Sequence, residues 1–269
     1  MKVLFVHRPG AELAGAPLTN IVEEMSNQGL SVTLIPIKNV SSAHRGDIVF
    51  LYNSAYRVHK EKIDAMKTKV YNVPSCGFGK HKQLPALKAG GVNVPDFHII
   101  GRQSNASAIS SELGLPLITK PCFGSGGKGV DLHKDAKSLA IKIKNSKKKI
   151  IAQRYVPEAS AGDIRALVID NEVVASLWRT PKAGSVASNF HSGGRPSQYE
   201  LTPEQRNQAV LAANSVGLSM SGVDIVPTAN GPVVFEANSL PDFMHMKEVA
   251  GIDPIPALVR SIKRAGEID

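Results

Sequence analysis

The sequence predicts an α/β protein with a small parallel unit at its start and antiparallel hairpins towards its end. Three observations carry that. Residues 3–6, 18–28 and 31–37 read strand, helix, strand, and a helical crossover makes the two strands parallel. Residues 163–169 and 173–179 are two extended runs joined across Asp170-Asn171, which is a hairpin signal. Residues 222–238, GVDIVPTANGPVVFEAN, form a second hairpin around a Pro/Asn/Gly turn.

The elements follow in chain order. Residues 47–52 and 69–72 add two strands, with a helix near residues 60–66 between them. Residues 1–75 therefore make a small α/β domain, without a glycine-rich phosphate fingerprint and without assigned chemistry. Residues 80–91 form a short helix with Pro85 in or near its first turn, and Val94-Pro95 ends it. Residues 99–100 are a strand, 104–113 a helix stopped by Gly114, and 115–120 a strand leading into a glycine-rich stretch. Residues 138–149 read as a basic helix and 150–156 as a strand. Residues 193–196 are expected as a loop. Thr202-Pro203-Glu204-Gln205 is a capping box with proline at the first helical position, and that helix runs to Val216 before Gly217. A last helix covers residues 255–265. There is no internal repeat and no low-complexity linker. The expected domains are 1–75, 76–151 and 152–269.

Composition bounds the function. A hydrophobic fraction of 42% and a charged fraction of 20% over 269 residues suit a globular protein with real cores. The net charge of +9 admits an anionic partner: nucleotide, nucleic acid, anionic membrane or acidic protein. Only five Tyr, eight Phe and one Trp are present, with no aromatic stripe among basic residues, so nucleic-acid binding by base stacking is not favoured. Cys76 and Cys122 form no CxxC pair, which indicates neither zinc nor a disulfide framework. No apolar run approaches about 18 residues, and the start MKVLFVHRPG has too short an apolar core for a signal peptide. The expectation is a cytoplasmic protein without membrane contact.

The hairpin at 222–238 carries the sharpest chemical pattern. Asp224, Glu236 and Asn238 break its apolar runs. Glu236 and Asn238 are two apart and share a face, while Val233, Phe235 and Ala237 are expected to face the core. A two-residue Asn230-Gly231 turn would pair Asp224 with Ala237; a three-residue Ala229-Asn230-Gly231 loop pairs it with Glu236. In the second register two carboxylates and an amide oxygen converge. Such like charges repel unless a cation lies between them, and all-oxygen ligands favour Mg²⁺ or Mn²⁺ over zinc. The alternative is two solvated carboxylates on an exposed strand.

Residues 120–130, KPCFGSGGKGV, satisfy G-x-G-x-x-G through Gly124, Gly126 and Gly129. A Rossmann turn must open a helix, and here Val130-Asp131-Leu132 continues as a strand. Walker A fails because Lys128 is followed by glycine. What remains is strand, glycine loop, strand, suited to a flap that lays N–H groups of residues such as Gly126 and Gly127 over phosphates, or else a plain glycine-rich turn. Lys120 ends the preceding strand and is either a ligand or a snorkelling rim residue. Arg179 ends its strand, and Asp163 and Arg165 open the partner strand as a functional or a structural ion pair. Lys142, Lys144, Lys147, Lys148 and Lys149 are either a solvated face or an electrostatic funnel. His191 and His245 read as surface or loop histidines.

Taken together these stretches resemble the ATP-grasp superfamily. Within it they are similar to the RimK-like ligases that add glutamate to a ribosomal-protein C-terminus, and to relatives in amino-group-carrier biosynthesis. The similarity runs over residues 72–264 and rests on LPLITKP, GSGGKGV, AQRYVPEASAGDIRALVIDNEVVASLWR, SNFHSGG and GVDIVPTANGPVVFEANSLP, in that order. The resemblance implies two α+β subdomains that sandwich ATP, 76–151 with the flap and 152–269 with the metal site, behind the N-terminal domain. It implies that Lys80 and Lys120 hold phosphates, that Gln153, Arg154, Tyr155 and Val156 form the hinge against adenine, and that Asp163 sits near the ribose. Arg179 and Asn189 would face the γ-phosphate and the reacting carboxyl group, and Asp224, Glu236 and Asn238 would bind two Mg²⁺ ions. Three positions depart from the relatives' pattern: Ala187 and Ser192 stand where arginines are common, and Asn238-Ser239-Leu240-Pro241-Asp242 replaces Asn-x-Ser-Pro-Gly. All lie at the acceptor end, so the added group stays open. The implied activity is an ATP-dependent carboxylate–amine ligase working through an acylphosphate, with a peptide, an acidic protein tail or a small carboxylate as acceptor. A kinase on the same fold, a non-catalytic ATP-binding regulator and a nucleic-acid module are the alternatives, and a homo-oligomer is left open.

Overall fold

The structure is a computed structural model and describes residues 1–7, 16–51, 56–124, 127–181, 195–239, 241 and 244–267. Among these the strands form three sheets. The first holds β1 (Lys2–His7), β2 (Ser31–Pro36), β3 (Ile48–Leu51) and β4 (Lys69–Val70) in the parallel order β2-β1-β3-β4, with α1 (Ala16–Asn27) and α2 (Tyr56–Asp64) as crossovers. The core strands are apolar on both faces, as a covered parallel sheet requires. Leu4, Val6, Val49 and Leu51 meet Ile63 and Met66 on one side, while Val3, Phe5, Ile48 and Phe50 meet Ile21 and Met25 on the other.

The second sheet has the antiparallel order β5-β8-β6-β7, from β5 (Phe97–Ile100), β6 (Leu117–Pro121), β7 (Asp131–His133) and β8 (Ile150–Arg154). Its back face, with Ile100, Leu117, Ile150 and Ala152, is covered by α4 (Ala106–Leu113) and α5 (Ala136–Asn145). β8 carries the chain across residue 151, so Ala152 to Arg154 remain in this sheet. The loop between β6 and β7 does return as a strand, as expected, while Ser125 and Gly126 lie outside the described residues.

The third sheet is antiparallel in the order β11-β10-β9-β12-β13. It contains β9 (Asp163–Ile169), β10 (Glu172–Thr180), β11 (Arg195–Gln198), β12 (Met220–Thr228) and β13 (Gly231–Asn238). Asp170 and Asn171 take φ of 48° and 72°, which closes the tight β9–β10 turn. α3 (Lys80–Ala89) and α6 (Pro203–Ser215) pack on one face of this sheet through Leu84, Leu87, Ala209 and Ala213. α7 (Met244–Ala250) and α8 (Ile255–Glu267) close the chain, and α8 lies against the first sheet as well as the third.

Several expectations need correction. Pro85 stands in the second turn of α3, not its first. The basic helix stops at Asn145: Ser146 turns extended, and its hydroxyl donates to the Lys142 carbonyl at 2.7 Å. Lys147, Lys148 and Lys149 therefore lie beyond it. Arg195 and Pro196 belong to strand β11 rather than to a loop, held by pairing with Thr180 and Arg179. The short α7 has no counterpart in the sequence reading.

The β12–β13 hairpin pairs Asp224 with Glu236, but by another route than a three-residue loop. Thr228 pairs with Gly231 across a two-residue Ala229-Asn230 turn. Gly231 has φ of +100°, a conformation that suits glycine. The register then shifts between Ile225 and Asp224, leaving Phe235 without an opposite residue in a β-bulge. The bulge also redistributes the faces. Val234 and Ala237 enter the core, whereas Val233 and Phe235 are only half-buried.

Candidate active site

The site lies where the open face of the second sheet meets the β12–β13 hairpin. Asp224 and Glu236 stand side by side across the ladder, and Asn238 is paired with Gly222 two residues further on. The Asn238 amide nitrogen donates to the Gly222 carbonyl at 3.4 Å, which leaves its carbonyl oxygen as an acceptor. All three ligands expected for metal thus sit on one short stretch of hairpin.

Each carboxylate is met by cations from distant parts of the chain. Lys80 Nζ lies 2.9 Å from Glu236 Oε1 and donates at 3.2 Å to the Gly124 carbonyl at the root of the glycine loop. Its position follows from α3: Gln83 clamps the helix to β13 with two hydrogen bonds to the Ala237 backbone, at 2.6 and 3.1 Å. The Lys80 amide is fixed by the Cys122 carbonyl at 2.8 Å. Gly79, ahead of α3, has φ of +99°, and a Cβ there would meet Phe123 and His81 at under 3 Å. The Phe123 ring in turn packs edge-on against His81 at 5.4 Å.

Asp224 meets two guanidinium groups. Arg165 Nε lies 2.7 Å and Arg179 Nη2 2.9 Å from its Oδ1. Both are close ion pairs, and Arg165 Nη2 also donates to Asp224 Oδ2 at 3.3 Å. Arg179 also grips Asp163 through both oxygens, at 2.6 and 2.7 Å. Burial works against the Arg179 charge, and Asp224 and then Asp163 more than offset it, so the guanidinium is held above its ordinary range. Arg165 stands two residues from Asp163 in sequence, but its partner is Asp224, its cross-strand neighbour on β12.

Lys120 is 7% exposed and stands over the Phe235 ring at 5.6 Å. Burial first, then Lys80, push its amine down to about 8, against the pull of Glu236 and Asp224. The bulge that puts Phe235 on this face is what supplies the ring. On the same face of the second sheet, Ile118 pairs with Gln153 and with Leu132. Ile99 and Leu132 are exposed there, and Gln153 is fully buried with neither amide atom hydrogen-bonded. A buried amide in that state calls for a ligand or an ordered water. Arg154 turns outward to Asp96 at 3.0 Å, and Tyr155 and Val156 lead from β8 into a short 3-10 turn.

The residues fit a divalent cation. Two carboxylates and one amide oxygen make a hard, all-oxygen donor set on adjacent positions of one hairpin. One of the three is an amide, and no cluster of three His, Cys, Asp or Glu that could hold a metal occurs among the described residues.

The conserved pattern of the RimK-like ATP-grasp domain matches residues 79–262. The chain belongs to the RimK-like ATP-grasp family. It is 35% identical over 189 residues to the ribosomal protein bS6–L-glutamate ligases of Salmonella paratyphi B and Salmonella newport. That alignment takes in 69% of this chain and 63% of each ligase, so the chain spans under two thirds of those relatives. Among solved structures, the RimK domain ATP-grasp protein of Sphaerobacter thermophilus superposes with a TM-score of 0.72 at 18% identity, over 97% of this chain and 98% of that one. The ATP-grasp ligase PsnB, solved with a precursor variant, Mg and ADP, gives 0.70 at 21% identity over 98% of both chains. D-cycloserine synthetase DcsG gives 0.74 at 16% identity, over 98% of this chain and 100% of that one. These likenesses bear out the ATP-grasp fold and the family read from the sequence.

The fold brings Lys80, Lys120, Arg179, Asp163, Asp224, Glu236 and Asn238 into one region. Gly127 is described, its carbonyl accepting from the Val130 amide at 3.2 Å. Gly126, Asn189 and His191 lie outside the described residues, as does the side chain of His245. Asp163, expected near the ribose, commits both carboxylate oxygens to Arg179. The sequence reading did not assign site roles to Gln83 or Phe235, or to the His81–Phe123 contact. Among the described residues no helix is long and apolar enough to cross a membrane.

Proposed function

We propose that the chain is an ADP-forming carboxylate–amine ligase. The observation that carries this is the convergence of Asp224, Glu236 and Asn238 with Lys80, Arg165, Arg179 and buried Lys120 beside a glycine loop. Oxygen ligands for cations and cationic groups for phosphate meet in one cleft, and no nucleophilic side chain is needed among them.

In this reading ATP lies with its base on the face of Ile99, Ile118 and Leu132 near Gln153, and the segment from Gln153 to Val156 lines the hinge. Lys80 and Lys120 hold the phosphates. Asp224, Glu236 and Asn238 would hold two Mg²⁺ ions, replaceable by Mn²⁺, which would supply neutralisation of phosphate charge when bound. A substrate carboxylate oxygen attacks the γ-phosphorus and the bond to ADP breaks, giving an acylphosphate. An amine nitrogen then attacks the acyl carbon, inorganic phosphate leaves, the nitrogen loses its proton, and an amide remains. Arg179, fixed by Asp163, stabilises charge on the transferring phosphoryl group and then on the tetrahedral intermediate. Asn189 belongs to the acceptor end by resemblance. The protein supplies position and charge neutralisation. The ribosomal-protein ligases among the relatives support a polypeptide acceptor, and glutamate is one candidate for the added group.

The test measures ADP release over a panel of acids with and without amines, with products weighed by mass spectrometry. The expected result is ADP release that needs both, and a product equal to acid plus amine minus water. A stable phosphorylated acid formed without amine would replace this reading with a kinase.

A further inference from the structure

The second sheet ends in a row formed by Ile100 on β5, Ile150 on β8 and Pro121 on β6. The chain segments that continue past this row are Gly101 and Arg102 after β5, Lys147 to Lys149 before β8, and Cys122 after β6. Cys122 fixes the Lys80 amide, so this end of the row opens on the cleft. At the opposite end, between the loop after β5 and helices α4 and α5, lies a pocket of about 390 Å³.

That pocket is lined by Arg102, Ser104, Ala106, Ala140, Ile143 and Lys144. Arg102 and Lys144 come from different elements, are exposed, and have no carboxylate within ion-pair reach among the described residues. Lys142, two residues earlier on α5, is by contrast neutralised by Asp131. Ser104 Oγ accepts from the Gly101 amide at 3.0 Å, so its own hydrogen is free to donate. Lys147, Lys148 and Lys149 are exposed and likewise unneutralised. The Lys149 charge is felt at His81 and Cys122, where it helps to lower both groups against or along with burial. Unneutralised positive charge therefore runs from the pocket to the cleft mouth.

Lysines after a helix are most often plain solvated surface. Two features separate this band from that case: a concave end with an apolar floor of Ala106, Ala140 and Ile143, and a register that leads it to Lys80. We propose that the pocket and the lysine row form a docking site for an acidic stretch of the acceptor polypeptide, whose reacting carboxyl group lies in the cleft. This rests on the ligase reading above and adds where the acceptor is held. Neighbouring strands are about 4.8 Å apart, so the row from Cys122 to Arg102 is about 10 Å wide. An extended peptide crosses it in about three residues, at roughly 3.3 Å each. The acidic stretch therefore begins about three residues beyond the cleft mouth.

The experiment titrates fluorescein-labelled octaglutamate amide into the full chain and reads anisotropy, with the cleft empty or filled by a non-hydrolysable ATP analogue and Mg²⁺. Wild type should bind the peptide equally in both states, and an R102E/K144E variant should bind it at least tenfold more weakly. Affinity for the ATP analogue should stay within twofold in that variant, which shows that it is folded. Unchanged peptide binding by the folded variant overturns the proposal, as does displacement of the peptide by the ATP analogue, which would place it in the cleft. Displacement by millimolar free glutamate would mean a site for small carboxylates. Tighter binding of an oligouridylate RNA through the same two residues would mean a nucleic-acid surface. A variant with lost analogue affinity is replaced by K147E/K148E, read in the same way. No turnover is measured, so a failure of the ligase reading and a failure of the docking site give different results.

Discussion

Lys120 shows how one buried group couples this site to pH. Its amine is drawn down to about 8 from 10.5, first by burial and then by Lys80, while Glu236 and Asp224 pull the other way. Between those values the unfolded chain holds the proton and the folded chain does not, so this group's contribution to stability rises with pH across that window. Phosphate oxygens beside the amine reverse the preference. Nucleotide binding at pH 8.5 is therefore expected to take up a proton, and KM for ATP to rise as pH passes 8. Calorimetry in two buffers of different ionisation enthalpy measures the uptake, and equal apparent enthalpies in both would refute it. Glu236 is the second residue-scale case. Glu236→Ala removes a cation ligand and the partner of Lys80, and it should abolish ADP release while circular dichroism stays unchanged; turnover within tenfold of wild type in excess Mg²⁺ would rule the role out. The sequence made Asp224 and Glu236 legible because two carboxylates broke an apolar alternation. It could not show that Lys80 reaches Glu236 across 156 positions or that Arg165 faces Asp224, since both depend on how separate elements pack.

At the level of the element, local chemistry was readable where the chain satisfies itself. Thr202 accepts from the Gln205 amide at 3.2 Å and Gln205 accepts from the Thr202 amide at 3.0 Å, which is the capping box read from four residues. Thr202→Ala should cost about 1 kcal/mol in urea denaturation, the usual worth of such a cap. A loss below a few tenths would show that packing of Ala209, Ala212 and Ala213 alone sets this helix. The β12–β13 hairpin shows the limit. Alternation found the facing carboxylates, yet the turn is one residue shorter than expected and a bulge restores the pairing. A bulge costs one unpaired residue and leaves no sequence signature here except its result, a phenylalanine beside a glutamate on one face. The end of α5 is similar: a run of lysines continued the helical pattern, yet the backbone turns extended at Ser146.

Across the whole molecule, the least legible feature is how the first sheet is held. Strand, helix and strand marked residues 1–75 as a unit of their own, but its inner face does not close on itself. Val3, Phe5, Ile48 and Phe50 share one core with Leu167, Ile169 and Leu177 of the third sheet and with Leu258, Val259 and Ile262 of α8. Tyr71 bonds Ser261 at 2.8 Å, and Ser261 donates to Asp170 at 2.8 Å, tying the residue just after β4 to the C-terminal helix and the β9–β10 turn. Burial raises the Tyr71 phenol well above its ordinary range, so it stays protonated as a partner for that bond. A fully buried aliphatic or aromatic side chain is worth about 1.5–3 kcal/mol, and a whole domain about 5–15 kcal/mol. Exposing six such residues by deleting 1–75 removes more than the remainder can spare. The fragment 76–269 is therefore expected to be unfolded or aggregated rather than a working ATP-grasp core. In the intact chain, Leu258→Ala should cost about 2–5 kcal/mol. It should do so in a single transition, with fluorescence of Trp178 on β10 and far-ultraviolet circular dichroism moving together. Two separate transitions, or a soluble fragment 76–269 that binds ATP with wild-type affinity, would show instead that the first sheet is an independent domain and that the shared core is only a contact.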